Sequence, residues 1–184
     1  MRGVPSGRPV ELRSPRMHDV RMINVVPFSP EHAEGVRSVI LPIQQEEFGI
    51  PITINEQPDL LDIPGFYQVR NGNFWVALAD GHVVGTVALL DIGAGQTALR
   101  KMFVKSAFRG QGRGVASALL ETLLAWSVSH GIASIYLGTT EKFHAAHRFY
   151  EKNGFLEIKR SDLPASFPVM SVDTKFYVRA LGAL

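Results

Sequence analysis

The stretch FRGQGRGVASALL, residues 108–120, places Gly110, Gly112 and Gly114 on alternate positions and then enters an apolar run. Glycine costs backbone entropy and weakens any helix it enters. Three at such a junction indicate a backbone that something must approach closely, or else a loose loop. The flanks constrain the fold. Before the glycines, TALRKMFV (97–104) alternates as a strand does. After them, Val115, Ala116, Leu119, Leu120, Leu123, Leu124 and Val128 recur at helical spacing, and Gly131 is a natural stop. A helix N-terminus presents free N–H groups and a positive dipole end, so it attracts phosphate. Glycines there remove Cβ atoms that would hold a phosphate away. The segment reads as a pyrophosphate cradle, with a plain strand-to-helix turn as the alternative.

The rest of the chain supplies the partners of this unit. RMINVVPF (21–28) is a β-rich run, and residues 29–48 look helical, with Ser29 as N-cap, Pro30 in the first turn and Val36, Val39, Ile40 and Ile43 as an apolar stripe. Pro42 should kink or end that helix. A short second helix in a mobile region is expected over 57–69. NFWVALADGHVVGTVALLDI (73–92) is a hairpin about Asp80-Gly81. ASIYLGTT (133–140) is a buried strand, 141–153 a helix with Gly154 just beyond it, and 155–160 and 172–181 are strands separated by a loop with two prolines. The order β-α-α-β-β-β-α-β-α-β-β argues for a mixed α/β sheet.

With 184 residues, 46% hydrophobic and 20% charged, the chain suits one globular domain over 21–184. Its lack of cysteine excludes disulfides, thiolate metal sites and a cysteinyl intermediate, and fits a cytoplasmic protein. The formal charge of +2 is local: Arg2, Arg8, Arg13 and Arg16 outweigh Glu11 and Asp19 in residues 1–20, and the body is neutral. No nucleic-acid footprint is indicated. No apolar run is long enough to span a bilayer, so no membrane role is expected. Residues 1–20 are rich in Pro, Gly, Ser and Arg without an apolar period, and read as a flexible tail.

Two familiar phosphate loops fail on spacing. A dinucleotide fingerprint counted from Gly110 puts its third glycine on Val115, and counted from Gly112 on Ser117; a P-loop lacks its lysine. The pattern that fits is R-x-x-G-x-G at Arg109, Gly112 and Gly114. Some 35 residues on, AAHRFYEKNGF (145–155) supplies an Ala, a Tyr, a charged pair and Gly-Phe. Together these resemble the two signatures of the GCN5-related N-acetyltransferases, best from Phe74 to Phe155. The resemblance implies a central mixed, largely antiparallel sheet flanked by helices, and an acetyl-CoA-dependent N-acetyltransferase. Its acceptor would be the primary amine of a small molecule or peptide, with no covalent enzyme intermediate and no metal. It leaves a homodimer open.

The resemblance also implies site residues. Backbone groups of Met102, Phe103 and Val104 would hold the pantetheine arm and acetyl carbonyl like an added strand. Backbone N–H groups across Gly110, Gln111, Gly112, Arg113, Gly114 and Val115 would take the pyrophosphate. The side chains of Arg109 and Arg113 either add charge there or are solvated. Tyr150 matches the family's general acid, on one helix face with Phe143 and Ala146; taken alone it reads as a core aromatic. Phe143 stands where members often carry Asn, whose contact is absent or replaced by Thr139, Thr140 or His144. Glu46, Glu47 and Asp91 are general-base candidates, or solvated charges; His144 and His147 read as surface or supporting histidines. The acceptor pocket is expected from 43–51, 59–67 and 163–170, where Glu46, Glu47, Asp59 and Asp62 either attract a cationic amine or are exposed loop charges. The rival readings are a non-catalytic acyl-CoA-binding or sensor module of the same fold, favoured by Phe143, and a nucleotide-binding domain, which the glycine spacing disfavours.

The composition of residues 1–16 yields one prediction: a chain beginning at Met17 melts within a few degrees of the full chain by calorimetry. A larger drop would show that the tail docks on the body.

Overall fold

The computed structural model describes residues 22–182 apart from Gln111 and Arg113; the expected tail lies outside the described residues. The first strand, β1 (Ile23–Pro27), leads through a short turn into α1 (Ala33–Pro42), then α2 (Pro58–Leu61) and α3 (Ile63–Phe66). Next come β2 (Asn73–Ala79) and β3 (His82–Gly93), joined at Asp80-Gly81 with φ of 50° and 78°. This pair of left-handed residues makes the tight turn expected of the hairpin. A second such turn at Ala94-Gly95, φ 55° and 71°, starts β4 (Gln96–Val104). The chain then crosses through α4 (Val115–Ser129) to β5 (Ser134–Thr139) and ends with α5 (His144–Lys152), β6 (Leu156–Ile158) and β7 (Lys175–Ala180).

All seven strands form one sheet, in the order β1-β2-β3-β4-β5-β7-β6. Every neighbouring pair is antiparallel except β4 and β5. Parallel strands need a long crossover, and α4 supplies it. The architecture is the expected mixed, largely antiparallel sheet with helices on both faces.

Alternation along the strands divides the core. On one face Trp75, Ala77, Val87, Leu89 and Leu99 meet Val115, Leu119, Leu120 and Leu123 of α4, with Tyr150 and Phe155. On the other, Phe74, Val76 and Ala88 meet Val36, Val39 and Ile40 of α1, with Leu60, Ile63 and Tyr67. A small cluster of Ala98, Phe167 and Phe176 extends the second face, and Leu90 packs against both clusters on that side. Among the described residues no helix is long and apolar enough to cross a membrane.

Pro42 does end the α-helix. Lacking an N–H, it interrupts the ladder. The next turn, Ile43–Glu47, widens to bonding five residues apart, as in Phe48 N–H to Ile43 O at 3.0 Å. The segment 57–69 departs from the sequence reading. It forms two one-turn helices rather than one, divided at Asp62, whose side chain accepts from Gly65 N–H at 3.0 Å. It is also anchored rather than loose: Leu60, Ile63 and Tyr67 are buried. Asp59, also buried, pairs with Lys101 of β4 at 3.3 Å and accepts from the Tyr67 hydroxyl at 2.6 Å. Lys101 Nζ further donates to Gln57 Oε1 at 2.8 Å, and Gln57 exchanges two amide hydrogen bonds with Gln44. Burial lowers the Lys101 pKa, and the Asp59 charge opposes that shift.

This cluster predicts a measurable cost. Asp59→Ala leaves the Lys101 charge buried without its counter-ion and should destabilise the fold by about 3–5 kcal/mol in urea unfolding. Replacing both partners, Asp59→Leu with Lys101→Met, should restore most of that loss. A single-variant cost below about 1 kcal/mol would show that the segment is held by its apolar contacts alone.

Candidate active site

The parallel pairing of β4 with β5 is brief. Gln96, Thr97 and Ala98 align with Ser134, Ile135 and Tyr136, and the ladder stops there. Beyond that point the strands part, leaving one edge of β4 unpaired from Leu99 onward. A β-bulge deepens the parting: Thr86 aligns with Phe103 but Ala88 with Arg100, so β4 carries one extra residue there. Lys101 lies in this bulge with φ 52°, rare for a residue with a Cβ, and its carbonyl accepts from Thr86 Oγ1 at 2.7 Å.

The gap is the mouth of a cleft of about 930 Å³. Its walls are β4 from Leu99 to Val104, β5 from Leu137 to Thr139, the start of α5, the turn after α1, and the loop before β7. Met102, Phe103 and Val104 all line it, along the unpaired edge. Phe143, Ala146 and Tyr150 line it together from α5, as their spacing on one helix face requires.

Tyr150 is both a packed ring and a cleft residue. It is 7% exposed and lies edge-on to Phe155, with ring centroids 5.5 Å apart. Among the described residues its hydroxyl has no protein hydrogen-bond partner. The hydroxyl is not sealed off either, because the one orphaned buried side-chain atom among those residues is Arg37 Nε. Burial raises the phenol's pKa well above its ordinary value, so the hydroxyl carries its proton at neutral pH.

The glycine segment joins β4 to α4. Gly110, Gly112 and Gly114 have φ of 97°, 83° and 65°, and a Cβ built on any of them meets no atom within 4 Å. They are therefore required by the left-handed path of the chain and not by crowding within the protein. Gly114 caps α4, and Val115, its first residue, is buried in the core. Gln111 and Arg113 lie outside the described residues. Arg109 is neither free nor merely solvated. Its Nε donates to Val104 O at 2.6 Å, and its two terminal nitrogens grip Glu47 at 2.7 and 3.0 Å. This fork-like contact ties the glycine segment to the turn after α1.

Of the other acidic candidates, all but Glu46 are engaged within the protein. Glu47 is held by Arg109, Asp59 by Lys101 and Tyr67, and Asp62 by the Gly65 N–H. Asp91 accepts from Asn71 and Gly93 N–H groups and pairs with Arg70 at 3.9 Å. Glu46 is exposed and does not line the cleft. The engaged carboxylates brace the loops around the cleft, and none of the five candidates lines it. His147 is buried, with Nε2 on Thr140 O at 2.9 Å, and His144 is exposed. Phe143 stacks on Phe48, centroids 4.2 Å apart, and Phe48 packs on Phe103, so an aromatic bridge occupies the position of the expected amide. Thr139, Thr140 and His144 line the cleft beside it. Among the described residues no group of three His, Cys, Asp or Glu side chains is placed to hold a metal.

The sequence reading missed Arg100 and Asp173, the latter the sole acidic residue lining the cleft among the described residues. Asp173 comes from the loop before β7, and its Oδ2 accepts from Met170 N–H at 2.9 Å. Its carboxylate lies against Gly138, where a Cβ would sit 2.5 Å from Oδ2. Burial raises its pKa, opposed by the Met170 N–H and by the Arg100 and Arg160 charges.

Known proteins share this fold. The acetyltransferase of the GNAT family from Staphylococcus aureus Mu50 superposes with a TM-score of 0.82 and 40% identity, over 88% of this chain and 100% of that one. An acetyltransferase from Streptococcus agalactiae gives 0.80 and 30%, over 86% of this chain and 98% of that one. The N-acetylaspartate synthetase of Homo sapiens is 42% identical over 106 residues, which is 56% of this chain and 34% of that protein. The match thus spans about a third to under a half of the length of the curated relatives. The family model for the acetyltransferase (GNAT) family matches residues 38–155, from within α1 to the residue after Gly154, and so takes in the β4, β5 and α5 walls of the cleft and the glycine segment, but not the loop before β7. On that match, and on the S. aureus likeness over the whole of the second protein, the chain belongs to the acetyltransferase (GNAT) family.

Proposed function

We propose that residues 21–184 act as one unit that transfers an acetyl group from acetyl-CoA directly to a primary amine of a small molecule or peptide. The observation that carries this reading is the cleft itself: an unpaired β4 edge and a protonated phenol line one gap in the sheet, and Arg109, at the head of the glycine segment that caps α4, lines it too. The free edge from Met102 to Val104 offers backbone groups to the pantetheine arm and the acetyl carbonyl, as a neighbouring strand would. The backbone from Gly110 to Val115 offers N–H groups to the pyrophosphate, at the positive end of α4. Because Arg109 is neutralised by Glu47, its side chain holds the loop and leaves the anion to the backbone.

The lone pair of the neutral amine attacks the thioester carbonyl, the C–S bond breaks, the thiolate takes the Tyr150 proton, and the proton lost by the attacking nitrogen returns through solvent in the cleft to restore the Tyr150 phenol. The same held geometry brings the two reactants together without a covalent enzyme intermediate. A second reading, an acyl-CoA-binding module without turnover, draws on the Phe143–Phe48 stack at the position where a polar contact is usual. Acetyl-CoA titration together with a CoA-release assay over an amine panel separates the two, since the module binds and does not turn over.

Two substitutions test the assignment. Gly112→Glu or Gly114→Glu sets a Cβ on a left-handed residue and a carboxylate where the pyrophosphate belongs. Each should weaken acetyl-CoA binding by at least about 2 kcal/mol in a protein that remains folded. Undiminished affinity would move the cofactor elsewhere. Tyr150→Phe keeps the ring and its packing. It should lower kcat by about 10²-fold or more, with little change in acetyl-CoA affinity. Turnover at the wild-type rate would make Tyr150 a packing residue only.

A further inference from the structure

The acceptor side of the cleft carries two opposite charges, Arg100 and Asp173, that close no ion pair among the described residues, although the Arg100 and Arg160 charges both act on Asp173. Arg100 follows Ala98 on β4, and by strand alternation it stands on the same face as the Phe167–Phe176 cluster. Its guanidinium is braced but not paired. It lies over the Phe66 ring at 5.9 Å and donates weakly to Met170 Sδ at 3.7 Å, and among the described residues no carboxylate forms an ion pair with it. Asp173 stands on the same face, because Gly138 lies one alternation beyond Tyr136 and leaves the space its carboxylate fills. Asp173 and Arg100 feel each other's charge without closing into an ion pair.

The other charged groups at the cleft do not compete for this role. Lys101 is matched by Asp59 and Arg109 by Glu47, while Lys142 and His144 lie on the exposed turn that enters α5. Of the acids expected to draw in a cationic amine, Glu47, Asp59 and Asp62 are engaged within the protein, and Glu46 is exposed and does not line the cleft. What remains is one fixed cation and one fixed anion, set apart on the walls of one cavity.

We infer that the acceptor is a free amino acid, whose carboxylate is held by Arg100 and whose amino group is held by Asp173. This rests on the acetyltransferase reading above and names its substrate class. A guanidinium presents parallel N–H donors that match a carboxylate, and Phe66 and Met170 lie against it. An amine without a carboxylate leaves Arg100 unmatched in a partly desolvated cleft, and a peptide amide in place of the carboxylate does the same. Free amino acids are therefore preferred over amines of equal size and over peptide N-termini.

The test uses the full chain with L-serine, L-aspartate and L-leucine, their C-terminal amides, and propylamine. Acetyl-CoA turnover is assayed, and CoA affinity is measured by calorimetry on the same preparation. At least one free amino acid should exceed its own amide in kcat/KM by roughly 10–100-fold. Arg100→Ala should erase that preference and Arg100→Lys should keep part of it. Asp173→Asn should lower kcat/KM for acid and amide alike, because both carry the amino group. Amides or propylamine used as well as the acids by the wild-type chain would overturn the inference and leave the acetyltransferase reading standing. So would a preference that survives Arg100→Ala, or an Asp173→Asn protein that equals the wild type. Failure to bind CoA, or to acetylate any of these amines, would overturn the acetyltransferase reading and this inference with it.

Discussion

The site depends on a pairing that stops. β4 and β5 share three residue pairs and then diverge. Two strands that stayed paired would satisfy each other's backbone groups and close the sheet over its own centre. Here the bulge at Lys101 turns β4 out of register, and the free edge from Leu99 onward is left with backbone polar groups for a ligand to use. The chain accepts a left-handed lysine to achieve this, and surrounds that residue with Asp59, Gln57 and the Thr86 hydroxyl. The bulge, the buried charge and the cleft are one feature seen at three scales.

That arrangement accounts for why Glu47, Asp59 and Asp62 are not available to a substrate. A buried lysine needs a counter-ion, and Asp59 supplies it. A helix start needs an acceptor, and Asp62 supplies it. A glycine loop that must hold its shape without side chains of its own needs an external tie, and Glu47 supplies it through Arg109. With these roles filled, the charges facing the cleft come from elsewhere: Arg100 beside the bulge, and Asp173 from a loop that follows β6.

Glycine serves two different purposes around the cleft. At 110, 112 and 114 it permits a backbone path that other residues resist, in open surroundings. At 138 the backbone is ordinary, and glycine is present because a neighbour's carboxylate occupies the place of its side chain. The first use is legible as a motif, since alternate glycines just ahead of an apolar helical period mark a left-handed entry into a helix. The second is invisible in sequence, where Gly138 is one residue within a β-rich run.

The sequence by itself determined most of the elements and their order, the split of 57–69 into two one-turn helices excepted, because apolar period and turn residues act over a few positions: Asp80-Gly81, the α4 stripe and the Pro42 break are local facts. It also placed Phe143, Ala146 and Tyr150 on one face, since helix geometry alone requires it. Only the tertiary structure decided which charges are spent on each other. Asp59 and Lys101 lie 42 positions apart, Arg109 and Glu47 62 apart, and Arg100 and Asp173 further still. Whether such a side chain is paired, buried or left facing a cavity depends on how the strands align and where they part. Electrostatic pairing acts through space, and a pattern along the chain carries no record of the distance between groups that far apart.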